Sequence, residues 1–325
     1  MCLSLVSVIV PVYQVSEYVE RCLRSLMAQT YADIECIIVD DASKDDSIAK
    51  CEALISGYSG PIQFRIIHHD QNRGLSASIN TGTEAATGEY LYYLDSDDYI
   101  SPNCIERLVS ATQSDPSIEM VQGNSLMTGG GKDVLLYRLD HPVKTLDYDT
   151  TRQAFFKNRY VYISAWNKLL KRSFVVEHRL SCREGLVFED LLWVFYLLKE
   201  LKVAYLCEEL TYYYCLRLGS ISTAAKPSSV ACYTVIFDEI LHHLTPGRER
   251  EEIKGLLYYF IKRYVSYVKI VPAFKNTIKL YRAKARQYRC WYENAMLFAT
   301  GIVGSIGNPF SLLAFLNGIR WKVRK

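Results

Sequence analysis

The apolar run Tyr90-Leu91-Tyr92-Tyr93-Leu94 ends in Asp95-Ser96-Asp97-Asp98, and this junction constrains the fold more than any other stretch. An unbroken apolar and aromatic run of this length reads as a strand inside a sheet. Three carboxylates crowded at its carboxyl end repel one another unless a cation sits among them. Asp95 and Asp97 stand two apart, so an extended chain aims both toward one face. Hard oxygen donors of this kind suit Mg2+ or Mn2+, which complete their shells with water and substrate phosphates. The implied substrate carries a diphosphate. The same residues also fit a solvated acidic turn before a helix opening at Ser101-Pro102. A calcium-binding EF-hand loop does not fit, because Tyr99 and Ile100 stand where it needs an oxygen ligand and a glycine.

A chain of 325 residues, 50% of them hydrophobic, can bury one large core and still carry a smaller appendage. The formal charge is only +3, and basic residues cluster only at Arg320, Lys322, Arg324 and Lys325, which gives no footprint for nucleic acid. The 10 cysteines form no C-x-x-C pair. Cys22, Cys36, Cys51 and Cys104 lie in apolar periodic segments, as expected for buried thiols in a reducing cytosol. The start, Met1-Cys2-Leu3-Ser4-Leu5, has no basic n-region or small-residue cleavage site, so no signal peptide is expected.

In chain order, Val6 to Val10 reads as a strand buried on both faces and leads into Pro11-Val12-Tyr13. Ser16 then reads as the N-cap of a helix carrying Val19, Cys22, Leu23 and Leu26. A second strand, Ile34 to Val39, runs into Asp40-Asp41-Ala42-Ser43, and a helix with Ile48, Cys51, Leu54 and Ile55 follows. A third strand, Phe64 to Ile67, leads through His69 to Arg73-Gly74 into a helix from Leu75 to Ala86. Strands alternating with helices describe βαβ units, an α/β fold with a mostly parallel sheet flanked by helices. Ligands of such sheets sit beyond the carboxyl ends of the strands, where all the polar clusters fall. Taken singly, Asp40-Asp41 is also explained as a capping turn, and Arg73-Gly74 as a plain loop-to-helix turn.

The ordered motifs Val6-Ser7-Val8-Ile9-Val10-Pro11-Val12-Tyr13, Val39-Asp40-Asp41-Ala42-Ser43, Asn72-Arg73-Gly74-Leu75-Ser76 with Asn80-Thr81-Gly82, and Gly88 to Asp98 resemble the bacterial family 2 glycosyltransferases of GT-A fold. The resemblance implies a Rossmann-like GT-A domain that moves a sugar, with inversion, from a nucleotide diphosphate donor, usually a UDP-sugar, to an acceptor hydroxyl. It implies that Pro11 and Tyr13 line the base pocket and that Asp41, or its neighbour Asp40, meets uracil or ribose. Asp95 then contacts donor sugar or ribose, and Asp97 ligates Mn2+ or Mg2+. Two positions depart from the family pattern: Gln14 stands where asparagine is common and Ile79 where arginine is frequent. The second leaves Arg73 as the nearest remaining cation.

Farther on, Ile105 to Thr112 reads as a helix, Ile118 to Val121 as a strand and Gly129-Gly130-Gly131 as a hairpin or flexible turn. That glycine run is no phosphate loop, since no Lys-Ser/Thr follows it. In the family the stretch similar to Trp166-Asn167-Lys168 borders donor sugar and acceptor; by residue type alone Trp166 also fits a core position with Asn167 at a turn. Leu191, Leu192, Val194, Phe195 and Leu198 mark a helix with Glu189-Asp190 in its first turn, where the helix dipole favours ionised carboxylates. The resemblance makes Asp190 the general base and has Glu189 orient its neighbours; helix capping alone also accounts for acids there. Arg217, in a segment like those that close over the donor, is expected at the diphosphate or as a surface arginine.

The expected organisation is a catalytic domain over residues 1–222, a helical extension over 223–290 (helices near 230–244, 251–268 and 278–290) and an apolar, basic-ended segment over 291–325. Asn294 to Ile319 carries no charge but is broken by Gly301, Gly304, Gly307 and Asn308-Pro309. That pattern fits short interfacial segments at an anionic cytoplasmic leaflet, or a buried terminal hairpin. The expected partners are a nucleotide-sugar donor, a glycan or lipid-linked acceptor and the inner membrane surface, with the protein peripheral on the cytoplasmic side. Rival readings are a nucleotidyltransferase, whose glycine-rich basic loop Pro11-Val12-Tyr13-Gln14 does not supply, and a catalytically silent sugar-nucleotide-binding protein.

Overall fold

The computed structural model describes residues 4–131, 133–136, 142–145, 147–152, 154–155, 163–217, 227–252 and 274–289. The chain divides into two compact units, Met1–Thr223 and Ala224–Lys325.

The first unit opens as β1 (Val6–Val12), α1 (Val19–Met27), β2 (Ile34–Asp40), α2 (Ser47–Ser56), β3 (Gln63–His68), α3 (Leu75–Ala85) and β4 (Tyr90–Tyr93). These strands lie in the order β3-β2-β1-β4 and are all parallel. β1 is buried along its whole length, whereas β3, at the sheet edge, alternates toward solvent, as a strand with an open side does. α1 turns Val19, Cys22, Leu23 and Leu26 inward, and Cys22, Cys36, Cys51 and Cys104 are buried thiols. Gly88 is required at the turn into β4, because a Cβ there would lie 2.7 Å from the Leu5 carbonyl and from Ser7 Oγ.

The unit continues as β5 (Tyr99–Ile100), α4 (Cys104–Ser114), β6 (Met120–Thr128), β7 (Val134–Leu135), β8 (Val143–Lys144), α5 (Tyr148–Arg152), β9 (Lys168–Lys171), α6 (Arg172–Glu177), α7 (Glu189–Glu200) and β10 (Ala204–Cys215). Beyond β4 the order is β9-β6-β10-β5. β9 enters antiparallel between β4 and β6, so the sheet is parallel at one end and mixed at the other. β6 extends well past Val121 and turns through Gly129 to Gly131 to pair with β7, which makes the glycine run a hairpin turn. Gly129 and Gly131 take φ of +86° and +79° there, a conformation glycine adopts without a Cβ penalty.

Two expected helix caps are displaced. α1 is capped at Tyr18 rather than Ser16, whose N–H donates to Asp45 Oδ2 at 3.0 Å. α4 is capped at Asn103 rather than Ser101, whose N–H donates to the Thr211 carbonyl at 2.9 Å. In both cases the helix starts two residues later than the serine suggests, a shift of the size by which first turns vary.

In the second unit, α8 (Pro227–His242) and α9 (Phe274–Gln287) overlap the first and third expected helices. Most of the middle one, and all of 291–325, lie outside the described residues. Among the described residues no helix is long and apolar enough to cross a membrane.

Candidate active site

Five carboxylates, of Asp40, Asp41, Asp95, Asp97 and Asp98, lie at or just beyond the ends of β2 and β4, the strands that flank β1. After β4, the Asp98 N–H donates to the Asp95 carbonyl at 3.0 Å and folds the acidic run into a turn. One carboxylate oxygen each from Asp95, Asp97 and Asp98 then falls within 4.8 Å of the others. Their surroundings differ. Asp98 is wholly buried and accepts hydrogen bonds from Tyr212 Oη and the Cys215 N–H, both at 2.7 Å. Asp97 accepts Arg217 Nε at 2.6 Å, and its carbonyl accepts Arg21 at 3.0 Å. No donor among the described residues reaches the Asp95 carboxylate.

Burial, followed by the charges of Asp98, Asp97, Asp190 and Glu189, holds the Asp95 carboxyl well above the usual range. Burial and Asp97 push Asp98 up as well, partly offset by its two donors. Hard oxygen atoms of three carboxylates converging in this way fit a divalent cation such as Mg2+ or Mn2+.

On the other side of β1, the Asp40-Asp41 pair ends β2 and is fully engaged. Asp40 accepts the Ser43 N–H at 2.9 Å and meets His68 Nδ1 at 2.9 Å. Asp41, only 3% exposed, accepts the N–H groups of Arg73 at 2.8 Å and Gly74 at 2.7 Å. It also meets His69 Nδ1 at 2.8 Å, and His69 Nε2 meets Thr81 Oγ1 at 2.9 Å. Asp41 thereby organises the loop into α3. Pro11 is buried in β1 beside Val39, and Tyr13, just past the strand, is 40% exposed. The Arg73 side chain does not reach the acidic run: it pairs with Glu184 at 3.1 Å. With Ile79 buried on α3, the cations that meet the acidic run among the described residues are Arg217 and Arg21.

Phe188, with φ of +68°, caps α7, and no side chain caps that helix. Glu189 is buried. Burial and Asp190 push its carboxyl up to about 8. Burial also pushes Asp190 up to about 6, opposed by Lys168 and by the Ala165 N–H, which donates to Asp190 Oδ1 at 3.0 Å. Burial is therefore the leading cause at both carboxyls of this first turn. Because Asp190 and Glu189 both act on Asp95, the start of α7 and the end of β4 share one electrostatic environment.

The Trp166 ring stacks on Tyr212 at 4.5 Å and lies 5.7 Å from Tyr214. The Asn167 amide is spent inside the framework. Its Nδ2 donates to the carbonyls of Gly123 at 2.8 Å and Asn124 at 3.1 Å and to Ser125 Oγ at 2.9 Å, while Oδ1 accepts Thr211 Oγ1 at 2.9 Å. Lys168, Tyr212 and His69 lie in stretches that the sequence marks, but the sequence assigns them no role of their own. The available signal was a lysine opening the apolar strand Leu169-Leu170, and histidines beside an acid-bearing strand end.

Residues 7–178 match the family model described as Glycosyl transferase family 2. The chain belongs to glycosyl transferase family 2. Among its relatives, EpsH of Bacillus subtilis strain 168 is 34% identical over 181 residues, which are 54% of this chain and 49% of EpsH. GlyA of Streptococcus pneumoniae serotype 4 is 34% identical over 232 residues, 67% of this chain and 31% of GlyA. The chain thus spans less than half the length of each. Of solved structures, residues 1–349 of S. aureus TarS, crystallised with UDP-GlcNAc, superpose with a TM-score of 0.67 at 19% identity, covering 91% of this chain and 89% of that one. The architecture of this family 2 member is GT-A, a central sheet flanked by helices.

Proposed function

We propose that the protein is an inverting glycosyltransferase that moves a sugar from a nucleoside diphosphate donor to an acceptor hydroxyl. The observation that carries this reading is the convergence of two acid groups from distant parts of the chain: the Asp95, Asp97 and Asp98 turn, and Asp190 at the start of α7, whose charge bears on Asp95.

Pro11 and the exposed Tyr13 ring border the base, and Asp41, with Asp40 beside it, sets the loop that borders base and ribose. Asp97, with Asp95 and Asp98 around it, would hold Mn2+ or Mg2+. A divalent cation there supplies Lewis-acid neutralisation of a departing diphosphate. Arg217, now on Asp97, is the mobile-length cation nearest to where that diphosphate leaves. Asp95 faces the donor sugar without a hydrogen-bond donor of its own, so sugar hydroxyls can supply one. Trp166 walls the acceptor side, and Asn167 fixes the backbone that carries it.

Above about pH 6 Asp190 is largely ionised and takes the proton of the acceptor hydroxyl. The oxygen bonds to the anomeric carbon as the bond to the diphosphate breaks, and that electron pair leaves with the diphosphate. Glu189, pushed to about 8, stays protonated at neutral pH and orients Asp190 rather than competing for the same proton. Attack opposite the leaving group inverts the anomeric centre.

UDP-sugar is the favoured donor, because a structure of the same fold holds UDP-GlcNAc; a hexose or N-acetylhexosamine is the group transferred. The acceptor is a glycan or lipid-linked glycan of a surface polysaccharide. Residues 1–222 form the catalytic domain and 223–290 a helical extension. The uncharged stretch Asn294–Ile319 with its basic end supports work at the cytoplasmic face of an anionic membrane.

A panel of UDP- and GDP-sugars, each with Mn2+ and with chelator, tests this by thermal shift and by release of nucleoside diphosphate. The true donor raises the melting temperature only with metal, loses most of that rise in Asp97→Ala, and is consumed when acceptor is added. Binding without turnover on any glycan acceptor would instead establish a silent binding protein.

A further inference from the structure

Lys168 opens β9 with its side chain wholly buried. Its Nζ donates to the Ser164 carbonyl at 2.6 Å and approaches Ser164 Oγ at 3.4 Å. These contacts tie the start of β9 back to the beginning of the preceding turn. Within that turn the Ala165 N–H points to Asp190 Oδ1 at 3.0 Å, and Asn167, at φ of +57°, reverses the chain into the strand. One buried ammonium therefore closes the loop that delivers a backbone donor to the Asp190 carboxylate.

The same ammonium matters electrostatically. The titratable groups whose charges act together with Asp190 are Glu189 on α7, Asp95 after β4, Cys182 in the segment before α7, and Lys168 on β9. Lys168 is the cation of that set. A lysine presents a compact charge whose protonation responds to burial.

We propose that Lys168 is a positioning residue for Asp190: it holds the Ser164–Asn167 turn that gives Asp190 its backbone donor, and it is the counter-charge that keeps that carboxylate ionised in a cleft crowded with acids. This rests on the reading of Asp190 as the base. Burial drives Lys168 down to about 7, opposed by Asp190, while Lys168 opposes the rise of Asp190. Removing the ammonium removes the stabiliser of the charged carboxylate, so Asp190 then loses its proton at higher pH.

The first measurement is turnover against pH at saturating donor, for the parent and for Lys168→Met. The parent's acid limb is expected near pH 6. In Lys168→Met it moves up by about one pH unit, so that turnover drops about fivefold at pH 6 and about twofold at pH 7 and recovers on the alkaline side. A uniform loss at every pH with an unmoved limb would overturn the electrostatic role.

Should Lys168→Met not fold, a second measurement decides. The Lys168 side-chain titration is followed by 15N NMR in the parent and in Asp190→Asn. Loss of the carboxylate is expected to lower the Lys168 midpoint below its parent value, and an unchanged midpoint refutes the pairing. Normal turnover in Asp190→Asn defeats the base assignment alone, since the pairing is read from the lysine and not from catalysis.

Discussion

Asp40-Asp41 ends β2 and Asp95-Ser96-Asp97-Asp98 follows β4; both strands flank β1, and in sequence the two acidic ends look alike. In space they are opposites. Asp41 holds two backbone N–H groups and an imidazole, and Asp40 an N–H and a second imidazole. Asp95 has no donor among the described residues and lies among the charges of Asp97, Asp98, Asp190 and Glu189. An acid whose oxygens are filled by the protein is part of the scaffold, because its charge is already compensated. An acid left unfilled among like charges raises the free energy of the ligand-free fold, and that cost is relieved only by a ligand that brings protons, hydrogen-bond donors or positive charge. Asp98 lies beside the second group but belongs with the first, since Tyr212 and Cys215 fill it.

That contrast breaks or sharpens under substitution. The largest effect is expected for Asp190→Asn, which should lower transfer by about 10²- to 10⁴-fold while leaving the donor-dependent rise in melting temperature in place. Single-turnover transfer and thermal shift on the same preparation separate the two. Asp41→Ala should behave oppositely, with about 2–4 kcal/mol lost from folding because buried donors lose their acceptor, as read by urea denaturation. Should that variant fold as stably as the parent and fail only in donor binding, Asp41 belongs with the ligand-facing acids.

Next comes pH. A carboxyl whose folded pKa is raised favours the folded state fully below its unfolded value and loses that contribution as pH rises through the folded one. For Asp190 the window runs from the ordinary value of 3.8 to about 6, and ionising it opposes folding by about 3 kcal/mol. The parent should therefore lose stability relative to Asp190→Asn as pH rises across that window, as measured by urea midpoints at its two ends. The smallest effect is expected for Arg73→Ala. Its pair with Glu184 is nearly half exposed on both sides, so the loss should be below about 1 kcal/mol, whereas the Arg73 N–H that Asp41 holds is untouched. A larger loss would mean that the side chain also anchors the loop.

The strands β1 to β4 and helices α1 to α3 were legible because their cues are local: apolar runs, helical spacing, and turn residues between them. The position of Asp95, Asp97 and Asp190 at element ends followed from the same cues, and the ordered motifs pointed to the family. The starts of α1 and α4 fall two residues past Ser16 and Ser101, because residue type alone fixes a helix end only to within a residue or two. The insertion of β9 between β4 and β6 and the length of β10 had no local cue, since pairing partners along the sheet are set by chain segments far apart in sequence.

Residue order alone thus determined which elements form and which acids end them, since backbone geometry and side-chain periodicity act over a few residues. Only the tertiary structure decided which of those acids are satisfied. The donors that fill Asp41 and Asp98, and the cation that faces Asp190, arrive from strands and loops that meet only once the sheet has closed.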